Sequence, residues 1–165
     1  MSVTDSELER MAADLGAALL ARGWHVACAE SCTGGWIAKT LTDIPGSSAW
    51  FGWGLVAYAN DAKLGLLDIP TAVLDTHGAV SEPVVRAMAD GVKQRSGAEL
   101  AVSVSGIVGP DGGSANKPVG TVWFAWSGPA GIQAQMHRFQ GDRELVRRES
   151  VARALQGLQT LLTDS

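Results

Sequence analysis

Ser31 is the residue whose surroundings are best suited to chemistry. It follows the apolar run Trp24 to Ala29 and precedes Cys32-Thr33-Gly34-Gly35, after which Trp36 to Leu41 has a helical pattern. A hydroxyl at such a strand-to-helix turn lies near free main-chain N–H groups. With Gly34 and Gly35 allowing close approach, those groups could stabilise a developing oxyanion. The same pattern also fits a plain helix cap supplied by Ser31 or Thr33. A nucleophilic hydroxyl needs a base, and His25, His77 and His137 sit in no triad spacing, so they read as surface or packing residues. Lys63 follows a second strand end closely after Tyr58, and both could project from one corner toward the Ser31 turn. A buried lysine can lose its proton and act as base, whereas a solvated one is an ordinary helix lysine. Cys32 is the rival nucleophile, but two thiols in an apolar segment read as core filler.

A second group of residues could hold an anion or an amide. The stretch Gly106 to Pro118 is too rich in glycine and proline for regular structure. It matches neither a phosphate-binding Gly-Lys-Ser/Thr loop nor a dinucleotide fingerprint. Its Gly106, Gly109, Gly112 and Gly113 could let backbone N–H groups approach a ligand, or could belong to a mobile surface loop. With Thr33 and Gly34 of the first turn they form the expected substrate-holding set. Arg138, Arg143, Arg147, Arg148 and Arg153 gather in or just before the last helix, where Asp142, Glu144 and Glu149 can pair with them. Arg143, near the helix start, could bind a phosphate together with the helix N-terminus and joins the same set.

The elements between these residues must position them. Leu8, Met11, Ala12, Leu15 and Leu19 recur at helical spacing from Ser6 to Arg22. Strands are expected over Trp24 to Ala29, Trp53 to Ala59, Leu100 to Ser105, Val119 to Trp126 and Ile132 to Phe139, the last two as an antiparallel hairpin. Further helices are expected over Trp36 to Leu41, from an Asn60 cap to Leu67, from a Ser81 cap through Val84 to Gln94, and from Asp142 onward. A linker is expected around Pro70. Early alternation and a late hairpin predict an α/β fold, a three-layer α/β/α sandwich on a mixed sheet, as a single domain over residues 1–165. In such sheets ligands collect at the carboxyl ends of strands, here after Ala29, Ala59 and Ser105.

Composition narrows the classes. The 165 residues are 46% hydrophobic and 18% charged, enough for a core that needs no metal or disulfide staple. Thirteen Lys plus Arg against seventeen Asp plus Glu argue against nonspecific nucleic-acid binding. Cys28 and Cys32 form no CxxC pair and have no second ligand cluster, so no metal site is expected and a reducing cytoplasm fits. Charged residues through the first helix exclude a signal-peptide core. The uncharged stretch Ile44 to Asn60 is broken by Pro45, Gly46, Gly52 and Gly54, so no membrane association is expected.

The segments AESCTGG (Ala29 to Gly35), PGSSAWF (Pro45 to Phe51), YANDAK (Tyr58 to Lys63), GAVSEPV (Gly78 to Val84), SGIVGPDGG (Ser105 to Gly113), KPVGTV (Lys117 to Val122) and GDR (Gly141 to Arg143) occur in this order. Together they resemble the CinA C-terminal domain family over nearly the whole chain. The resemblance implies deamidation of nicotinamide mononucleotide to nicotinate mononucleotide and ammonia, a salvage step needing no cofactor, in a homo-oligomer expected to be a dimer. It matches the family's serine nucleophile to Ser31 and its tyrosine and lysine, expected to relay the serine proton to the departing ammonia, to Tyr58 and Lys63. Ala59 and Val108 depart from the family's usual serine and alanine. The competing class is a nucleotide-binding or interaction module without turnover, which would bind the mononucleotide and release no ammonia.

Overall fold

The computed structural model describes residues 2–165. Its first helix, α1 (Asp5–Arg22), begins at a capping box in which Thr4 Oγ1 accepts from the Glu7 amide at 3.2 Å and the Glu7 carboxylate accepts from the Thr4 amide at 2.7 Å. It ends at Gly23 in the left-handed region, φ 65°. Leu8, Ala12, Leu15 and Leu19 form its buried stripe, as the helical spacing predicts.

The chain continues through β1 (Val26–Glu30), α2 (Trp36–Thr42), a 3-10 turn (Ser47–Ala49), β2 (Phe51–Val56), α3 (Asn60–Leu67), α4 (Thr71–His77), α5 (Glu82–Ser96), β3 (Leu100–Gly106), β4 (Thr121–Gly128), β5 (Gly131–Arg138) and α6 (Arg143–Thr163). The strands form one mixed sheet in the order β2-β1-β3-β4-β5. β1 runs parallel to both β2 and β3, while β4 and β5 are antiparallel additions, so the expected hairpin is present. β1 is buried along its whole length, as a strand covered by helices on both faces must be.

The two faces are packed differently. On one, Val26, Cys28, Leu100, Val102, Val104, Phe124 and Trp126 meet the apolar stripes of α1, α2 and α6. On the other, Ala27, Ala29, Ala101 and Ala125 leave room for α5, whose Val84, Val85, Met88, Ala89 and Val92 lie against them, with α3 and α4 packed on α5. The small residues bring α5 close enough for Ser103 Oγ to donate to the Val85 carbonyl at 2.5 Å. A comparable close approach fixes α6. A Cβ on Gly157 would lie 2.0 Å from Trp126 Cε2, and the Trp126 indole N–H donates to the Ala154 carbonyl at 2.9 Å.

Three local expectations are corrected. Pro70 is followed by the helix α4 rather than a linker; it buries only Leu74 and has no side-chain cap, so it leaves little periodic trace. Ala59, not Asn60, is the N-cap of α3, whereas Ser81 is the N-cap of α5 as expected, with its hydroxyl donating to the Gly78 carbonyl and making no side-chain cap bond. Neither Ser31 nor Thr33 caps α2, whose N-cap is Gly35 with no side-chain bond.

Candidate active site

The site forms where the parallel strands end. β1 leads through Glu30 into the turn Ser31 to Gly35, and the Ser31 amide extends the ladder by donating to the Val104 carbonyl at 3.0 Å. The chain then reverses into α2 through Gly34 and Gly35, at φ 60° and 100°, conformations that a side chain would strain. The Glu30 side chain is fully buried. Its Oε1 accepts from Thr33 Oγ1 at 2.6 Å and from the Ile37 amide at 2.8 Å, and its Oε2 accepts from the Ala38 amide at 3.0 Å. From outside, Arg147 of α6 donates through Nε to the Cys32 carbonyl and through Nη2 to the Thr33 carbonyl, both at 3.1 Å, with its guanidinium 5.6 Å over the Trp36 ring.

The neighbouring corner joins β2 to α3. The Ala57 amide donates to the Glu30 carbonyl at 2.9 Å, which carries the strand pairing past the end of β2. From the start of α3, Lys63 turns inward and is only 1% exposed. Its Nζ lies 3.0 Å from Ser31 Oγ, 2.9 Å from the Ala57 carbonyl and 2.9 Å from the Tyr58 carbonyl. Burial lowers the Lys63 pKa from the ordinary lysine value, against a smaller opposing effect of Cys32. Burial also pushes the Cys32 thiol up to about 12, so Cys32 is held as a thiol and is a poor nucleophile beside the serine.

Ser31 and Lys63 are therefore brought together, and Tyr58 joins them only through its main chain. The Tyr58 side chain is 57% exposed, and its hydroxyl accepts from Arg143 Nη2 at 3.3 Å. The expected relay position for that hydroxyl is not the one it occupies, because Lys63 reaches the serine along the Tyr58 carbonyl while the ring turns outward. Arg143 Nη1 donates to the Gly109 carbonyl at 2.7 Å, so this arginine ties the 107–120 loop to Tyr58. The loop is closed at its base, where the Ile107 amide donates to the Thr121 carbonyl and the Gly120 amide to the Ile107 carbonyl.

The remaining expected ligand-holding residues divide. Gly34 lines a groove of about 440 Å³ beside the turn, with Thr33, Gly35, Trp36, Arg147 and Arg148. Thr33 lies behind the groove wall, fully buried with its hydroxyl on Glu30 and its carbonyl on Arg147, so it offers a ligand no exposed surface. Gly106 and Gly109 allow close packing, since a Cβ on either would lie within 2.7 Å of Val122 or Val119, whereas Gly112 and Gly113 are exposed in the loop. A larger hollow of about 860 Å³ between α1 and α6 is lined by none of these residues.

The histidines lie elsewhere: His25 pairs with Glu99, the His77 carbonyl accepts from Lys117, and His137 stacks on Phe139. Among the described residues no group of three His, Cys, Asp or Glu could hold a metal, and no helix is long and apolar enough to cross a membrane. Sequence reasoning missed Glu30 and Arg147. A charged residue ending an otherwise apolar strand was the available signal for Glu30; Arg147 had none beyond its place in the arginine cluster.

Comparison with known proteins shows the family. The model of the CinA C-terminal domain matches residues 8–162. The nicotinamide-nucleotide amidohydrolase PncC of Escherichia coli K12 is 54% identical over 157 residues, covering 94% of this chain and 95% of its own. The PncC of Enterobacter agglomerans is 54% identical over 155 residues, covering 93% and 94%. The crystal structure of the competence/damage-inducible protein CihA from Agrobacterium tumefaciens superposes with a TM-score of 0.92 at 42% identity, covering 98% of each chain. With the family model spanning nearly its whole length and a relative sharing more than half its residues, this chain belongs to the CinA C-terminal domain family.

Proposed function

We propose that the protein hydrolyses the carboxamide of nicotinamide mononucleotide to nicotinate mononucleotide and ammonia, with Ser31 as nucleophile and Lys63 as base. The observation that carries this reading is the buried Lys63 amine, 3.0 Å from Ser31 Oγ and in contact with two main-chain carbonyls. A neutral amine has two N–H groups and one lone pair. With the N–H groups on the Ala57 and Tyr58 carbonyls, the lone pair is left for the serine proton. The names of the amidohydrolase relatives support a nicotinamide nucleotide as substrate.

As Ser31 Oγ bonds to the amide carbon, its proton passes to Lys63 Nζ, and the carbonyl oxygen takes up negative charge. The Ser31 amide is engaged with Val104, and among the described residues no protein acceptor is hydrogen-bonded to the amides of Cys32 and Thr33. Thr33 is fully buried while Cys32 keeps a little exposed surface, so we assign the Cys32 amide to the oxyanion. Lys63 then protonates the departing nitrogen, the C–N bond breaks and ammonia leaves. The neutral amine next takes a proton from water as it attacks the acyl-serine, releasing nicotinate mononucleotide and restoring Ser31. Tyr58 contributes the carbonyl that orients Lys63, and its hydroxyl with Arg143 bounds the substrate beneath the 107–120 loop. Arg143 retains N–H groups beyond those given to Gly109 and Tyr58 with which to meet the phosphate.

On this reading the protein acts in pyridine-nucleotide salvage in the cytoplasm, as one domain and without a cofactor. A homodimer has a surface available in the open edge of β2, where Trp53 and Val56 are exposed and the strand has no outer neighbour among the described residues. The test of the reaction is release of ammonia and formation of nicotinate mononucleotide by the purified protein, with and without exhaustive chelation. Turnover is expected in both, absent in Ser31→Ala and nearly unchanged in Cys32→Ala. Binding without turnover by the wild type would identify a non-catalytic module, and an inactive Cys32→Ala beside an active Ser31→Ala would reverse the nucleophile assignment.

A further inference from the structure

Directly before the nucleophile stands a buried carboxylate that the reaction does not consume. Glu30 holds its surroundings at both ends. Its side chain accepts from Thr33 Oγ1 and from the amides of Ile37 and Ala38, with Cys28 Sγ at 3.7 Å from Oε2. Its main-chain carbonyl accepts from the Ala57 amide. Ile37 and Ala38 are the second and third residues of α2, where amides have no carbonyl of their own helix to bond. A residue at the N-cap usually serves them, but that position is Gly35, and the acceptor comes instead from the far side of the turn. A side chain at the N-cap would satisfy the helix without fixing its distance from β1. A carboxylate at the end of β1 does both, and closes Ser31 to Gly35 into a short loop with both ends held. Through Ala57 the same residue sets one of the two carbonyls that orient Lys63.

We propose that Glu30 is a positioning residue for the reaction, holding the Ser31 turn and the Lys63 corner at the separation that proton transfer needs. The proposal rests on the reading of Ser31 as nucleophile and Lys63 as base. Burying a carboxylate is costly unless its oxygens are fully hydrogen-bonded, so a substitution that leaves the fold intact can still loosen this arrangement.

Glu30→Gln retains the size and one acceptor oxygen but turns an amino group toward a helix amide. In folded Glu30→Gln, kcat on nicotinamide mononucleotide should fall about ten- to hundredfold, as small misplacements at reacting atoms do. KM should stay within about twofold, and the pH at which the rate rises should not move, because Lys63 itself is untouched. A wild-type kcat, a loss confined to KM, or a displaced pH profile overturns the positioning role. If Glu30→Gln does not accumulate as folded protein, Thr33→Val carries the test, since it removes one donor and keeps the shape. It should lower kcat about three- to tenfold at unchanged KM, and a wild-type kcat there overturns the proposal. Ser31→Ala, run in parallel, separates the two readings: wild-type turnover in it overturns the nucleophile assignment. An inactive Ser31→Ala beside a fully active Glu30→Gln overturns the role of Glu30 alone.

Discussion

The two strand-to-helix corners that meet at the site are built on opposite plans. The β1–α2 corner is held by groups outside the chemistry: Glu30 binds it from within and Arg147 from without. The β2–α3 corner has no side-chain cap on its helix and exposes Tyr58 and Ala59, and the group that gathers its carbonyls is the Lys63 amine. Ser31 is thus carried on a turn that is ordered without it, while Lys63 orders the turn that carries it. Removing the Ser31 hydroxyl should cost chemistry and leave the fold alone. Removing the Lys63 amine should cost both.

The largest effect that tests this contrast is Lys63→Met, which keeps a long apolar stem but can neither take a proton nor bond to a carbonyl. Turnover should fall to the level of Ser31→Ala. The Ala57 and Tyr58 carbonyls, left without their donor, should lower stability by about 1–3 kcal/mol in urea unfolding, where Ser31→Ala changes little. A Lys63→Met protein as stable as the wild type would show that the second corner does not depend on its lysine.

The pH dependence sharpens the same point. Burial lowers the folded pKa of Lys63, so between that value and about 10.4, the ordinary lysine value, the unfolded chain binds the extra proton. Stability should therefore rise with pH across this window, and the wild-type slope should exceed that of Lys63→Met. The rate should rise in the same direction, as the neutral amine becomes populated. Equal slopes in the two proteins would remove Lys63 as the titrating group.

Arg143→Ala should have a smaller effect, confined to substrate. Loss of a charge-assisted bond contributes about 1.5–3 kcal/mol, so kcat/KM on the mononucleotide should fall about ten- to hundredfold while the dephosphorylated riboside changes little. Equal losses on both would restrict Arg143 to tying the loop to Tyr58. The smallest effect expected is that of Tyr58→Phe, which keeps the carbonyl and removes only the outward hydroxyl. It should lower kcat less than tenfold, and a loss matching that of Lys63→Met would mean that the ring swings inward during the reaction.

Much of this arrangement was legible because it depends on patterns along the chain. The alternation of strands and helices, the hairpin and the turn after β1 follow from hydrophobic period and glycine placement, and they put Ser31 and Lys63 at adjacent strand ends. What was not legible depends on direction. Tyr58 lies in the irregular link after β2 and Lys63 in the first turns of a helix, so closeness in sequence did not mean that both side chains faced the serine. The acceptor for α2 lies not immediately before the helix, where caps usually are, but across the turn at Glu30. Arg147 reaches the turn from the other end of the chain, a pairing that local spacing cannot reveal. α4 buries one side chain and so left too little periodicity to detect.

The contact between Gly157 and Trp126 makes α6 a strut of set length. Arg147 sits ten residues, or about 15 Å, back along the same helix, at a rise of 1.5 Å per residue. The indole against Gly157 fixes how far α6 can slide along its axis or lift from the sheet, and the guanidinium at the other end transmits that register to the Cys32 and Thr33 carbonyls. A methyl group at position 157 has no space beside the ring, so α6 must ride outward, and the displacement would appear at its far end as a loosened grip on the Ser31 turn. The alignment of the serine is thereby calibrated at a packing contact remote from it.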